Sequence, residues 1–341
     1  MNNNKKKNGQ FFTAANPFNN DLFYKWFKRI PNNKVQPILE PFAGSNNIVK
    51  MINDIGIKNK WACYDIEPSM NNNFCTYPVK QLDSLNLFPT GFEVVISNPP
   101  YLAKNSATRD GISFPKSEYD DLYKHSLKIM LENSSYVAVI IPESFITQNL
   151  FHSRLFGVVS LTCKMFDDTE CPVCLALFIP EQDKRTLLKK ENIAIDDFYI
   201  HRDSAAWGKF SDAKKNKITF ESYGWKFNVP NGSIGLFAID NTTTKSIKFV
   251  NGNEIDSDRV KATSRGITRI ENPNLSKDIG IDELIAEANK ILSQYRQTTN
   301  DVFLTSFRGL TKDGSYRRRL DFTQAKNVLS LAIHNLEKQH A

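Results

Sequence analysis

Between Val35 and Pro180 short apolar runs alternate with longer amphipathic stretches, and this alternation limits the fold more than any other feature of the chain. It is how a mostly parallel sheet with crossover helices is written in sequence. The expected strands are Val35 to Leu39, Trp61 to Tyr64, Glu93 to Ser97, Tyr136 to Ile141, Val158 to Phe166 and Cys171 to Phe178. The expected helices include Ser45 to Ile55, Glu118 to Glu132 and Glu143 to Phe156. In the second of these Tyr119, Leu122, Tyr123, Leu127, Met130 and Leu131 recur at helical spacing and predict a buried face.

After Pro180 the rhythm changes. The charged stretch Glu181 to Glu191 reads as a connector, and the chain beyond it is rich in Gly, Asn, Ser and Thr with short aromatic strands. The 341 residues suffice for two domains, expected at 1–180 and 181–341, the second a mixed α+β unit. Its last part is helical again, with Ile281, Leu284, Ile285, Ala288, Ile291 and Leu292 on one stripe and Val328, Leu329, Ala332, Ile333 and Leu336 on another. Trp207 and Trp225 are expected in its core. With 40% hydrophobic and 24% charged residues the chain is neither disordered nor fibrous.

No run approaches the roughly 18 apolar residues that cross a bilayer, and Met1 to Lys7 has no apolar segment behind it, so no membrane contact or secretory signal is expected and the reading is cytoplasmic. Five cysteines give no disulfide framework. Cys171 and Cys174 are expected as reduced thiols in an apolar strand and Cys63 and Cys75 as core thiols. The five histidines show no spacing that would complete a zinc site, so no metal is expected. The net charge is +7, of which residues 1–180 carry +2 and residues 181–341 carry +5. That excess suits a C-terminal unit facing a polyanion.

The segment that carries chemistry is Val94-Val95-Ile96-Ser97-Asn98-Pro99-Pro100-Tyr101, an apolar strand that stops at a polar residue, two prolines and an aromatic. Proline cannot continue the ladder, so Asn98 and Tyr101 are presented at the strand's carboxyl end, where ligands bind in open α/β sheets. An asparagine oxygen beside a proline carbonyl offers two acceptors to one exocyclic amino group, and Tyr101 offers a stacking face. Upstream, Ile38-Leu39-Glu40-Pro41-Phe42-Ala43-Gly44-Ser45 is a strand, an acid, a small-residue turn and a helix start. A second strand ends at Asp65-Ile66-Glu67-Pro68, where a carboxylate can accept from ribose hydroxyls. Asp83, before Ser84 and Leu85, could serve an adenine amino group.

Together these motifs resemble the gamma subgroup of S-adenosylmethionine-dependent adenine-N6 DNA methyltransferases, whose catalytic motif is Asn-Pro-Pro-Tyr. The order is a Gly-Gln-Phe-Phe-Thr element, the cofactor turn, the catalytic motif and a C-terminal recognition domain, and the likeness covers roughly residues 9 to 180. It implies a Rossmann-like domain with a mostly parallel sheet and one antiparallel strand, with an α+β DNA-recognition domain after it. It implies S-adenosylmethionine held by Thr13, Glu40, Pro41, Phe42, Ala43, Gly44, Asp65, Ile66, Asp83, Ser84 and Asn98. Thr13 would lie near the methionine carboxylate, Glu40 at the amino group, Asp65 at the ribose, Ile66 on an adenine face and Asp83 at the adenine amino group. Asn98, Pro99, Pro100 and Tyr101 would act on a flipped adenine, with Phe166 packing on its other side. One position departs from the pattern: Asn46 stands where the family turn often has glycine, and asparagine tolerates a left-handed backbone better than most residues.

The implied partners are double-stranded DNA and a cognate restriction endonuclease sharing the DNA site, the protein itself being a monomer. For DNA contact the loops holding Arg265 and Arg269, Arg308, and Arg317 and Arg318 mix basic, hydroxyl and glycine residues suited to phosphates and base edges. Three readings compete within methyl transfer: an RNA base, a protein glutamine or cytosine N4 as acceptor. The glutamine enzymes usually carry a helical domain before the catalytic one, whereas the extra mass here comes after Pro180. The cytosine-N4 group usually has serine at the position of Asn98. A non-catalytic DNA-binding protein is the reading from another class.

Overall fold

The computed structural model describes residues 16–68, 77–166, 171–220, 223–276 and 278–340, with the side chains of Arg308 and His340 outside the description. Two compact units divide the chain at Phe210/Ser211.

The first unit is built on a sheet whose described strands run in the order β3-β2-β1-β4-β5-β7-β6-β8-β9. They are β1 (Ile38–Glu40), β2 (Trp61–Asp65), β3 (Val79–Gln81), β4 (Val94–Ser97), β5 (Tyr136–Pro142), β6 (Leu155–Ser160), β7 (Val173–Phe178), β8 (Tyr199–Arg202) and β9 (Ala205–Lys209). β1 to β5 pair in parallel, and β7 enters antiparallel between β5 and β6. This is the expected Rossmann-like α/β arrangement. Every residue of β1, β4, β6 and β7 is buried, as central strands covered on both faces require. The direction of travel reverses between β1 and β4, so their carboxyl ends flank the sheet's topological switch point.

The helices pack by their apolar stripes. α1 (Asp21–Phe27), capped by Asn20, buries Leu22, Phe23, Trp26 and Phe27 and anchors Trp26 Nε1 to the Phe178 carbonyl at 2.8 Å. Its approach to β6 needs Gly157, where a Cβ would meet the Leu22 side chain at 2.8 Å. α2 (Asn47–Asp54) comes after β1 and buries Ile48, Val49, Met51 and Ile52. α3 (Lys104–Arg109) comes after the proline segment, and α4 (Leu122–Asn133), capped by Asp121, buries Leu122, Tyr123, Leu127, Met130 and Leu131. Tyr119 lies ahead of α4 and packs on the Phe151 ring instead.

Three element assignments are corrected. Glu143 to Phe156 is not one helix: a 3-10 turn covers Glu143–Thr147, Phe151 turns left-handed at φ 55°, and Leu155 already pairs with Phe178 in β6. Arg154 fixes that break by donating to the carbonyls of Leu131, Ser134, Ser135 and Ile179. The strand expected to reach Phe166 ends at Ser160, beyond which Asp203 holds Thr162 through both its amide and its hydroxyl. The charged connector is a helix, α5 (Glu181–Glu191), with Glu181 and Asp183 in its first turn and Lys189 and Lys190 in its last, matching its macrodipole.

Because β8 and β9 extend the sheet past Pro180, the first unit runs to Phe210 and not to 180. Trp207 consequently sits on β9, half-exposed, and outside the C-terminal core. Cys63 and Cys174 are buried thiols and Cys171 is half-buried, whereas Cys75 lies outside the described residues.

The second unit is α+β. An antiparallel sheet of order β10-β13-β11-β12 comprises β10 (Lys226–Phe227), β11 (Ile234–Phe237), β12 (Lys248–Asn251) and β13 (Ile267–Glu271). A hairpin pairs β14 (Thr305–Leu310) with β15 (Tyr316–Arg319). The two expected stripes lie on α6 (Ile281–Thr298) and α7 (Phe322–His340) and join one core with Trp225, whose Nε1 donates to Ser330. Arg296 is buried in this unit between Asp240 and Asp301, donating to both carboxylates.

Candidate active site

The site begins at the carboxyl end of β1. Glu40 closes that strand, 1% exposed, and its Oε1 accepts from Ser97 Oγ at 2.6 Å and from the Phe42 amide at 3.0 Å. Its Oε2 is buried and accepts nothing from a described residue. Burial pushes the carboxyl up to about 8, the Ser97 and Phe42 bonds pull it down, and Asp65 raises it a little further. Near neutrality this acid is therefore mostly protonated unless a cation joins it.

Asp65 closes β2, and Oδ2 accepts from the Gly44 amide at 2.8 Å while Oδ1 accepts from the Glu67 amide at 2.9 Å. Burial raises its pKa as well, against those two bonds. The turn from Pro41 to Asn46 is thus strung between the two acids. Gly44 and Asn46 both take left-handed backbone, at φ 51° and 61°, and the Asn46 side chain donates to the Tyr77 carbonyl at 2.8 Å. Asparagine here keeps the conformation that glycine supplies elsewhere. Asp83 caps its own turn, accepting from the amides of Leu85 and Asn86, and the neighbouring Ser84 hydroxyl is buried without a described partner. Ile66 is apolar yet 46% exposed beside Asp65. Thr13 lies outside the described residues.

β4 brings the second half. Ser97 ends the strand, so Asn98, Pro99 and Pro100 leave the sheet at the same edge, beside β1. Tyr101, 9% exposed, directs its hydroxyl to the Ile140 carbonyl at 2.6 Å and to the Asn98 side-chain oxygen. Burial holds its pKa well above the ordinary phenol value, so it is a neutral donor. Phe166 is fully buried, its ring centroid 6.1 Å from that of Tyr101 at an interplanar angle of 67°. The two rings meet edge to face. A parallel pair with room for a base between them is not the arrangement seen.

The residues named from sequence therefore form two groups at one sheet edge: Glu40, Pro41, Phe42, Ala43, Gly44 and Asp65, and Asn98, Tyr101 and Phe166. Sequence reasoning misses Ser97. Its one sequence signal is its place just before Asn98, since nothing local shows that it faces Glu40.

The arginines in the second unit separate. Arg269 donates Nε to the Gly232 carbonyl at 2.8 Å, and Arg318, 8% exposed, donates to Ser306 Oγ at 2.7 Å, so both act within the fold. Arg317 lies over the Phe307 ring at 5.1 Å. Arg265 is exposed. Among the described residues no group of His, Cys, Asp and Glu could hold a metal, and no helix is long and apolar enough to cross a membrane.

No family model matches the chain, and no curated protein matches it. Solved structures do. The type I restriction-modification methyltransferase subunit of Streptococcus thermophilus is 15% identical over 62% of this chain, with a TM-score of 0.37, and the match spans 49% of that subunit. The M protein of the type I restriction enzyme EcoKI is 12% identical over 97% of this chain and 73% of its own, with a TM-score of 0.36. An rRNA methylase of Streptococcus thermophilus is 11% identical over 46% of this chain and 93% of its own, with a TM-score of 0.28. Likenesses of this size transfer no residue role and do not choose between DNA and RNA.

Proposed function

We propose that the chain transfers a methyl group from S-adenosylmethionine to N6 of an adenine flipped out of double-stranded DNA. The observation that carries this reading is the placement of Asn98 and Tyr101 at the end of β4, one strand from the buried Glu40 at the end of β1.

The residues suit the cofactor. A buried carboxyl oxygen without a described partner is a seat for an ammonium group, and an exposed isoleucine beside Asp65 is a seat for a planar ring. Ser84, with a buried hydroxyl that has no described partner, adds a donor next to Asp83 in the chain. Glu40 would hold the methionine amino group, Asp65 the ribose, Ile66 and Asp83 the adenine, and Pro41 to Gly44 the turn around it. When bound, the cofactor supplies an electrophilic methyl group on a sulfonium.

The amino nitrogen of adenine is a poor nucleophile because its lone pair is delocalised into the ring. The Asn98 side-chain oxygen and the Pro99 carbonyl accept its two hydrogens, favour a more tetrahedral nitrogen and stabilise the positive charge that develops there. Tyr101 positions Asn98 through its hydroxyl and offers its ring to the base. Phe166 must rotate or shift from its present edge-to-face packing to close on the base's other side.

The test is incubation of the purified protein with unmethylated duplex DNA and methyl-labelled S-adenosylmethionine, then nucleoside digestion and mass spectrometry. Labelled N6-methyladenine is expected. Label in N4-methylcytosine or in the protein alone, or no label in the DNA, would refute the adenine assignment. A restriction endonuclease sharing the site, a monomeric state and a cytoplasmic location belong to the same proposal.

A further inference from the structure

A cavity of about 600 Å³ opens on the C-terminal unit between the turn at 262–265 and the start of α7, with Asn228, Ser264, Arg265, Arg319, Asp321 and Thr323 on its walls. Its turn is built: Asn228 takes left-handed backbone at φ 59° and donates Nδ2 to the carbonyls of Ala262, at 2.9 Å, and Ser264, at 3.3 Å. Ser264 Oγ in turn donates to the Ile267 carbonyl.

Two arginines of this unit, Arg265 and Arg319, stand on the walls of this cavity. Arg269, Arg296 and Arg318 are bonded into the fold, and Arg317 covers a phenylalanine. Arg265 is exposed, Arg319 is half-buried, and neither guanidinium has a hydrogen-bond or ion-pair partner among the described residues. Both line this cavity. The one carboxylate in the lining is Asp321; the neutral acceptors there are the hydroxyls of Thr263, Ser264 and Thr323 and the amide oxygens of Gln324 and Asn228, the last buried without a described partner. Asp321 is already engaged as the cap of α7, accepting from the Gln324 amide at 2.9 Å. The first two amides of that 19-residue helix, Phe322 and Thr323, remain as donors. Two guanidinium charges and the positive end of a long helix outweigh one carboxylate, so the cavity favours an anion.

We propose that this cavity seats a phosphodiester of the polynucleotide substrate, with Arg265 and Arg319 as its cations. The proposal rests on the nucleic-acid reading above. It moves backbone contact from Arg269 and Arg318 to a pair that includes Arg319, the chain neighbour of the arginines expected at the interface.

The test is the salt dependence of binding, measured by fluorescence anisotropy with a labelled duplex DNA and, separately, a labelled single-stranded RNA. The variants are Arg265→Ala, at an exposed residue, and the double variant Arg265→Ala with Arg319→Ala. The slope of log K against log salt for DNA should shrink by about 0.9 in the single variant and by up to about 1.8 in the double. Wild-type slope in both variants overturns the seat and leaves the substrate reading intact. A wild type that ignores duplex DNA but binds the RNA, with the slope lost in the variants, removes the DNA reading and keeps the seat. Binding of neither polymer overturns both.

Discussion

Burying Glu40 makes a measurable statement about pH. Its carboxyl rises from an ordinary 4.5 to about 8 in the folded chain, chiefly through desolvation. Between those values the folded state binds a proton that the unfolded state has released, so stability falls as pH rises. The contribution is fully present below pH 4.5 and is lost by the time pH passes 8. At about 1.36 kcal/mol per unit the whole span is on the order of 5 kcal/mol. Glu40→Gln keeps the shape and the acceptor for Ser97 Oγ and the Phe42 amide but cannot ionise. Denaturant unfolding of the cofactor-free protein at about pH 5 and about pH 8.5 should find the two proteins close at the lower pH. The glutamine variant should then be more stable by several kcal/mol at the higher. A cationic group bound at Oε2 reverses the preference, so calorimetry in buffers of different ionisation enthalpy should record net release of most of one proton when S-adenosylmethionine binds at about pH 7, the carboxyl's loss being offset slightly by proton uptake at the ligand's amino group. Parallel stability curves for wild type and variant would refute the neutral-acid argument, whatever the protein's substrate.

Three other perturbations rest on the same geometry. Asn98→Ala should lower methyl transfer by at least about 10²-fold while leaving cofactor affinity near wild type, because in the proposed reaction the side chain acts on the target amine; single-turnover kinetics and equilibrium binding together check this, and wild-type turnover would remove Asn98 from catalysis. Ser97→Ala deletes the 2.6 Å donor that lowers the Glu40 pKa, so cofactor affinity near neutral pH should fall and recover as the solution is made more alkaline; a loss with no pH dependence would make Ser97 a packing residue only. Arg296→Met strips a buried cation from Asp240 and Asp301 and should destabilise the C-terminal unit by about 3–5 kcal/mol in denaturant unfolding; a loss under about 1 kcal/mol would mean the two acids find other partners.

Local pattern carries much of this fold because central parallel strands and amphipathic helices announce themselves. Tyr136–Pro142 is a nearly continuous apolar run, and the stripe Leu284, Ala288, Ile291 and Leu292 has helical spacing. The failures lie where long-range contacts decide. Glu143 to Phe156 has a helix-compatible sequence, yet Leu155 is captured by Phe178 and Arg154 by four distant carbonyls. Glu181 to Glu191 reads as a solvated linker because its apolar content is low, but Leu187 and the stem of Lys184 bury one side of it, and Lys184 Nζ donates to the carbonyls of Leu155 and Asp197. Asn98 and Tyr101 are legible because a proline pair must stop a strand. Which arginines are available for a ligand is not legible, since a guanidinium bonded to Gly232 and one facing a cavity belong to the same kind of basic loop.

The two acids and the serine at this sheet edge make one device. Asp65 holds the Gly44 amide, the turn holds Phe42, and the Phe42 amide and Ser97 hydroxyl converge on a single oxygen of Glu40. The other oxygen is desolvated without a described partner, so the folded chain without ligand keeps an acid in its less favoured environment. A cation arriving there regains the interaction that folding removed, and it does so on a carboxyl whose orientation is already fixed from β4. Because Ser97 adjoins Asn98, the unpartnered oxygen of Glu40 and the asparagine proposed to meet the target amine are set by the same strand end. Any shift of β4 against β1 would disturb both together, which in the proposed reaction would tie the position of the methyl donor to that of the acceptor group it must meet.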